Sequence, residues 1–158
     1  MKLLHDVITP QSDFGHDIML VRLNRPARIT DTVRVVGLPT EEPRLDSTCY
    51  TSAWARGYPN KPKKPVDFLC LELRVISNDM CVRTLGQMVN SSMLCAGYSR
   101  GITGICQSDS GDPLICNGTL QGIALWNKNP CVRPRSPSWY TSILPYVKWI
   151  KATMAANP

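Results

Sequence analysis

The sequence of 158 residues lacks several features that would place a protein quickly in a class. Residues 1–17 contain no apolar core region and no small-residue cleavage site, so they do not form a secretory signal peptide. No run approaches the roughly 18 apolar residues of a membrane-spanning helix. No two cysteines have the C-x2-C spacing of a zinc site, and no nucleic-acid-binding motif occurs. We therefore expect no metal, cofactor, nucleic acid or membrane to take part in function.

What the sequence does have is cysteine, at seven irregularly spaced positions. A disulfide framework accounts for them better than metal binding and implies an oxidising compartment. Because the number is odd, at least one thiol lacks a partner. Two glycosylation triplets, at Asn90 and Asn117, also fit a secretory route. The lack of a signal peptide conflicts with this route, so we expect the natural start of the protein to lie upstream of Met1.

The net charge of +6 is moderate, and its densest patches lie at residues 61–64 and 133–135. Proline interrupts both patches, and neither has aromatic neighbours. We interpret them as solvated loops, with weak polyanion binding as the alternative.

The composition predicts a loop-rich, all-β fold. Apolar residues make up 43% of the chain and charged residues 19%, while 13 prolines and 10 glycines occur without any repeat. Residues 38–47 are polar and predict a linker. Short apolar runs between turn signals predict strands at 18–23, 32–38, 48–54, 68–77, 92–97, 113–118, 120–126 and 138–143. The last six suit a small antiparallel barrel.

The C-terminal segment follows a different pattern. The apolar residues Ile143, Val147, Ile150 and Met154 recur at helical spacing, and Pro145 falls in the first turn. This predicts a terminal amphipathic helix over about residues 143–156. We expect its apolar face to pack on the barrel.

The stretch QSDSGDP, residues 107–113, places Ser110 between an aspartate and a glycine in a predicted tight turn, close to two cysteines. Such a serine resembles an exposed nucleophile. Together with four other segments, this stretch resembles the chymotrypsin-fold serine proteases, and in detail the glandular (tissue) kallikreins. The segments are HDIMLVRL (16–23), STCYTSAW (47–54), SMLCAGY (92–98), CQSDSGDPLICNGTLQGIALW (106–126) and YVKWIKATMAANP (146–158).

The resemblance implies two six-stranded barrels with an active site between them. The first four residues match a stretch that kallikreins carry in mid-chain. We therefore expect residues 1–40 to be the remnant of the N-terminal barrel with the start of the linker. Residues 41–158 would form a complete C-terminal barrel with its helix. The activation site and the catalytic histidine would then lie upstream.

The same resemblance assigns Ser110 as the nucleophile and Asp17 as the carboxylate of a catalytic triad, but it finds no catalytic histidine. His16 adjoins Asp17, and neighbouring side chains on an extended strand point in opposite directions. His5 falls in a stretch that matches a surface loop. Without a base to take its proton, Ser110 is a poor nucleophile.

Departures from the family pattern surround Ser110. The pattern is Gly-Asp-Ser-Gly-Gly-Pro, with the backbone N–H groups at positions 108 and 110 forming the oxyanion hole. This chain has Ser108 and Asp112 at the first and fifth positions. A side chain on Ser108 strains the turn or crowds the substrate, and the charge of Asp112 must be solvated or paired.

The specificity pocket is altered as well. Trypsin-like members hold an aspartate at its floor, where this chain has Gly104. The Ser-Trp-Gly wall of the family reads Leu125-Trp126-Asn127, and the side chain of Asn127 is expected to narrow the entrance. The pocket therefore favours a neutral substrate side chain.

The resemblance also implies a disulfide pattern that accounts for the odd cysteine. The expected pairs are Cys49–Cys116, Cys81–Cys95 and Cys106–Cys131, which leaves Cys70 as a free thiol.

These features predict a secreted serine endopeptidase homologue of the kallikrein type that is inactive as given. The expected partners are polypeptide substrates or protease inhibitors. One alternative is a fragment of a secreted endopeptidase that is active at full length. The other is a non-catalytic protein that binds an inhibitor or a polyanion.

Overall fold

The computed structural model of the protein describes residues 2–7, 16–55, 67–86, 90–97, 110–125 and 137–158. Within these residues the chain forms strands at Lys2–Val7 (β1), Ile18–Arg22 (β2), Thr48–Ala55 (β3), Asp67–Ile76 (β4), Met93–Gly97 (β5), Pro113–Cys116 (β6), Thr119–Ala124 (β7) and Ser138–Ser142 (β8). The α-helices are Asn78–Leu85 (α1) and Val147–Ala156 (α2), and a 3-10 helix, Leu144–Tyr146, precedes α2. None of the helices in these ranges is long and apolar enough to cross a membrane.

Strands β3 to β8 close into a six-stranded antiparallel barrel in the order β3-β4-β5-β8-β7-β6, with β6 pairing back onto β3. The predicted barrel with a C-terminal helix is confirmed. Side chains alternate between the two faces of its strands. On β4, Leu73 and Val75 are buried in the core, whereas Phe68 and Glu72 face outward.

Two glycines and one asparagine occupy positions of the barrel where the backbone restricts which residue can fit. A Cβ atom on Gly122 would lie 2.9 Å from the Cβ of Tyr140, so β7 and β8 approach too closely for any side chain there. Asn117 and Gly118 have φ angles of 49° and 74°, which suit the tight two-residue turn between β6 and β7.

The predicted terminal helix forms as the 3-10 helix followed by α2. Ile143 and Ile150 are buried with Ile18 and Tyr146, and Val147 packs against this cluster. Met154 was expected in the core but is 58% exposed. It lies in the last turn of α2, beyond the buried cluster, which ends at Ile150.

The prediction of a strand at 32–38 is wrong. Within the described residues, the one strand-like contact of this segment is an isolated parallel bridge between Gly37 and Thr119, and Val35 is 86% exposed. A β-branched run needs a neighbouring strand to pair with, and the described residues supply one only at Gly37. Conversely, β1, which pairs antiparallel with β2, and α1 were not predicted.

Candidate active site

Ser110 lies exposed in the turn that leads into β6. The next residue, Gly111, has a φ of 91°, which favours glycine, and its N–H donates to the carbonyl of Ala124 over 2.9 Å. The N–H of Ala124 donates in return to the carbonyl of Asp112 over 2.8 Å. These two hydrogen bonds fix the turn of Ser110 to the end of β7.

Asp17 lies exposed immediately before β2, and its backbone is anchored to β8. The hydroxyl of Thr141 donates to the carbonyl oxygen of Asp17 over 3.0 Å. Thr141 is 1% exposed, so this hydrogen bond is shielded from water.

The anchors of Ser110 and Asp17 lie on neighbouring positions of one strand pair. Between β7 and β8, Ala124 is opposite Tyr140 and Ile123 is opposite Thr141. The segments that carry Ser110 and Asp17 are therefore anchored to the same part of the barrel wall, at positions one residue apart. Sequence reasoning named Ser110 and Asp17 but missed Thr141, whose role depends on a partner 124 residues away.

The ring of His16 faces the C-terminal helix region. Its Nδ1 is hydrogen-bonded to the hydroxyl of Tyr146, and the two rings meet edge to face, with centroids 5.8 Å apart and planes at 88°. Burial raises the pKa of the Tyr146 phenol, and a hydrogen bond with Ser92 opposes that rise. No local sequence signal indicates this contact, because the two residues are 130 positions apart.

The other histidine, His5, belongs to β1, where its backbone is in register with Leu20 of β2.

These observations describe a serine and an aspartate anchored on one six-stranded barrel. A family model described as Trypsin matches residues 3–150. The chain belongs to the trypsin family of serine proteases. Members of this family act on polypeptides and are bound by protease inhibitors.

The similar proteins include several kallikreins. The chain is 49% identical to human Kallikrein-2 over 156 residues, 99% of this chain and 60% of that protein. It is 46% identical to mouse Kallikrein 1-related peptidase b1 over 149 residues, 94% of this chain and 57% of that protein. It thus spans about three fifths of their length. Among solved structures, neuropsin, a serine protease expressed in the limbic system of mouse brain, matches with a TM-score of 0.82 at 37% identity, covering 96% of this chain and 69% of that one.

Three positions at which this trypsin-family chain departs from the kallikrein pattern lie outside the described residues, namely Gly104, Ser108 and Asn127, and so does the expected pocket residue Trp126. Two others are described. Asp112 is half-buried, and its backbone is part of the anchor to β7. The N–H of Leu125 donates to the carbonyl of Trp139 over 2.9 Å, and its side chain packs against the cluster formed by α1 and β5.

The cysteines within the described residues follow the pairing that the resemblance implies. Disulfides join Cys49 to Cys116 and Cys81 to Cys95, and Cys70 is an exposed free thiol. The expected Cys106–Cys131 pair lies outside the described residues. Within the described part of the chain, no cluster of three His, Cys, Asp or Glu residues could hold a metal ion.

Proposed function

We propose that this chain is a kallikrein-type serine protease homologue without peptidase activity of its own. The observation that carries the proposal is the contact of His16 with Tyr146. A serine nucleophile needs an imidazole within hydrogen-bond reach to take its proton. The sequence has two histidines, and the one beside Asp17 has its Nδ1 occupied by a phenol on the C-terminal side of the barrel.

The residues around Ser110 support the same conclusion. Asp112 brings a half-buried carboxylate into the turn where the kallikrein pattern has glycine. A partly desolvated charge must be paired or reach water, and either demand acts on the backbone that supplies the oxyanion hole. In the sequence, Ser108 is a second departure, since the kallikrein pattern has glycine there as well.

We also propose the division of the chain and its location. The closed barrel begins at Thr48, while β1 and β2 form a separate two-stranded sheet, which supports a boundary near residue 40. The disulfides support passage through a secretory, oxidising compartment. Outside the cell, a protein of this kind would engage protease inhibitors or polypeptides without cleaving them.

The test is labelling with a fluorophosphonate, which reacts with an activated serine. We expect the oxidised, purified chain to be labelled no faster than its Ser110→Ala variant, since an unactivated hydroxyl reacts no better than any other serine. Labelling of the unaltered chain that disappears in Ser110→Ala would overturn the proposal. A trypsin sample labelled in parallel shows that the reagent works.

A second candidate function is that of a piece of a protease that is active at full length. The anchoring of both Ser110 and Asp17 favours it, because the fold retains the hydrogen bonds that hold two triad positions. To test it, the part of Kallikrein-2 that this chain does not match is joined upstream of the chain. A second version of this joined protein also has Ser108 and Asp112 changed to glycine.

Labelling of the joined chain with both residues unchanged would support this second function. Labelling only after both changes would mean that the substitutions themselves abolish activity. In an active form, Gly104 predicts cleavage after neutral side chains, because a buried Arg or Lys would lack a carboxylate. Gly104→Asp should then shift the preference to Arg.

A further inference from the structure

The tip of the hairpin between β6 and β7 projects from the barrel into solvent. Asn117 and Gly118 are both exposed there, and Thr119 completes an Asn-Gly-Thr glycosylation triplet. Asn117 has a left-handed backbone, with a φ of 49°, and belongs to the turn rather than to either strand. A Cβ placed on the neighbouring Gly118 would meet nothing within 4 Å, which shows how open this turn is.

An apolar segment runs beside this hairpin. Gly37 forms a parallel bridge with Thr119, and the N–H of Leu120 donates to the carbonyl of Gly37 over 2.9 Å. The bridge holds Gly37 beside Thr119, so the residues that precede Gly37 in sequence lead up to a point two positions along the chain from Asn117. They form a valine strip, consisting of Val33, Val35 and Val36, which are 44%, 86% and 42% exposed.

The other triplet is built into the fold. The side-chain oxygen of Asn90 accepts hydrogen bonds from the backbone N–H of Ser92 over 2.9 Å and from its hydroxyl over 2.6 Å. Ser92 is 5% exposed, and it is hydrogen-bonded to the phenol of Tyr146. The N–H of Ser142 on β8 donates to the carbonyl of Ser92 over 2.8 Å. The side-chain oxygen of Asn90 is thus engaged by Ser92 and the residue is half-buried, whereas Asn117 is exposed at the tip of the hairpin.

We propose that Asn117 carries an N-linked oligosaccharide, that Asn90 does not, and that the oligosaccharide covers the valine strip. The Nδ2 of Asn117 attacks the anomeric carbon of a lipid-linked oligosaccharide diphosphate. The new N–C bond forms as the sugar–phosphate C–O bond breaks, the lipid diphosphate leaves with the electron pair, and a base of the transferase takes the proton of Nδ2. The inference rests on the secretory route proposed above.

The attached sugar would lie over the exposed side chains of the valine strip. The hydrophobic faces of its rings can pack on Val35 and Val36, and its hydroxyl groups keep the surface wet. Exposed apolar side chains otherwise favour association between chains.

The test is secretion of the full chain from cultured vertebrate cells behind a supplied, cleavable signal peptide, followed by digestion with peptide N-glycosidase. Because the signal peptide is supplied, the result does not depend on how the chain is exported naturally. Expression without the supplied signal tests the proposed secretory route separately. We expect one step of mass loss in the unaltered chain, in Asn90→Gln and in Thr119→Ser. We expect none in Thr119→Val, which lacks the hydroxyl of the triplet.

The hydroxyl of Thr119 also donates to the carbonyl of Cys116 over 2.9 Å, so Thr119→Val could fold poorly. Asn117→Asp serves as a second variant, because aspartate keeps the size of the side chain and tolerates the left-handed backbone. No step in the unaltered chain, two steps, or a step that is lost in Asn90→Gln but kept in Asn117→Asp would overturn the proposal.

Cover of the valine strip is measured with an apolar fluorescent dye before and after the oligosaccharide is removed. We expect removal to raise dye fluorescence in the unaltered chain and to raise it much less in a Val35→Ser, Val36→Ser variant. An equal rise in both proteins, or no rise in the unaltered chain, would contradict the proposed cover.

Discussion

The closed barrel and the N-terminal part of the chain contain similar apolar residues, yet they bury them to very different extents. Each barrel strand has a neighbour on both sides, and Leu73 and Leu114 are 1% and 0% exposed. Among the described residues, strands β1 and β2 pair only with each other, and Leu23, Ile29 and Val35 are 55%, 60% and 86% exposed. We call residues 2–7 and 16–37 together the N-terminal ribbon.

The difference shows that burial follows from closure of the sheet rather than from the residues themselves. A β-branched run gains stability only when other strands or helices cover it. In the barrel, six strands supply that cover for one another. Among the ribbon side chains whose burial is described, cover comes from the contact with the C-terminal cluster, where Ile18 is buried and Leu20 is partly buried.

The largest expected effect comes from a cavity in the barrel. Leu114→Ala should lower the free energy of unfolding by about 2–5 kcal/mol, because a fully buried side chain is removed from a closed core. Val35→Ala in the ribbon should change it by less than about 0.5 kcal/mol. Urea unfolding with intact disulfides, followed by tryptophan fluorescence, measures both. Similar losses in the two variants would mean that the ribbon is as well covered as the barrel.

A smaller effect is expected from one added methyl group. Gly122→Ala forces β7 against Tyr140, at 2.9 Å between Cβ atoms, and should cost about 1–3 kcal/mol. Gly37→Ala is the matched control in the ribbon. Its new Cβ would lie 3.5 Å from the side chain of Thr119, an ordinary contact, so the same unfolding measurement should show little change. If both variants lost the same stability, the close approach of β7 and β8 could not be the cause.

The sequence predicted the barrel well because its signals are local. Short apolar runs between turns predicted all six strands of the barrel to within a few residues. The same signals gave the wrong strand at 32–38, because a run of valines looks alike with and without a pairing neighbour. Helix α1 was missed although it has recognisable ends. Ser77 accepts a hydrogen bond from the N–H of Met80 at its start, and Gly86, with a φ of 65°, ends it.

The site could be predicted only in part. Motif resemblance assigned roles to Ser110 and Asp17, because each lies in a short stretch of characteristic sequence, and those roles stay a prediction. The contacts that hold them in place join distant positions, such as Thr141 with Asp17, and no local pattern contains that information. That the side chains of His16 and Asp17 point in opposite directions stays a prediction from the alternation of side chains on an extended backbone. The contact of His16 with Tyr146 was not predicted.

The smallest effect concerns the joint between the two regions, the hydrogen bond of His16 with Tyr146. Burial holds the pKa of the Tyr146 phenol above its ordinary value of 10.0, so the folded chain keeps this proton when the unfolded chain has lost it. Well below pH 10 the phenol is neutral in both the folded and the unfolded chain, so its raised pKa does not change the free energy of unfolding there. As the pH rises from 10 towards the folded pKa, the unfolded state ionises first and stability falls. Tyr146→Phe removes this alkaline loss while lowering stability at neutral pH by about 1 kcal/mol for the missing hydrogen bonds.

The measurement is urea unfolding between pH 7 and pH 11, after Cys70 has been alkylated to prevent thiolate attack on the disulfides. Tyr50→Phe is the matched control, because that ring is 49% exposed, and its stability should follow the unaltered chain at every pH. The curve of Tyr146→Phe should start lower and approach that of the unaltered chain above pH 10. Parallel curves would show that Tyr146 ionises as readily in the folded chain as in the unfolded one. The hydrogen bond of His16 with Tyr146 would then be open to water, as Leu23, Ile29 and Val35 of the ribbon are.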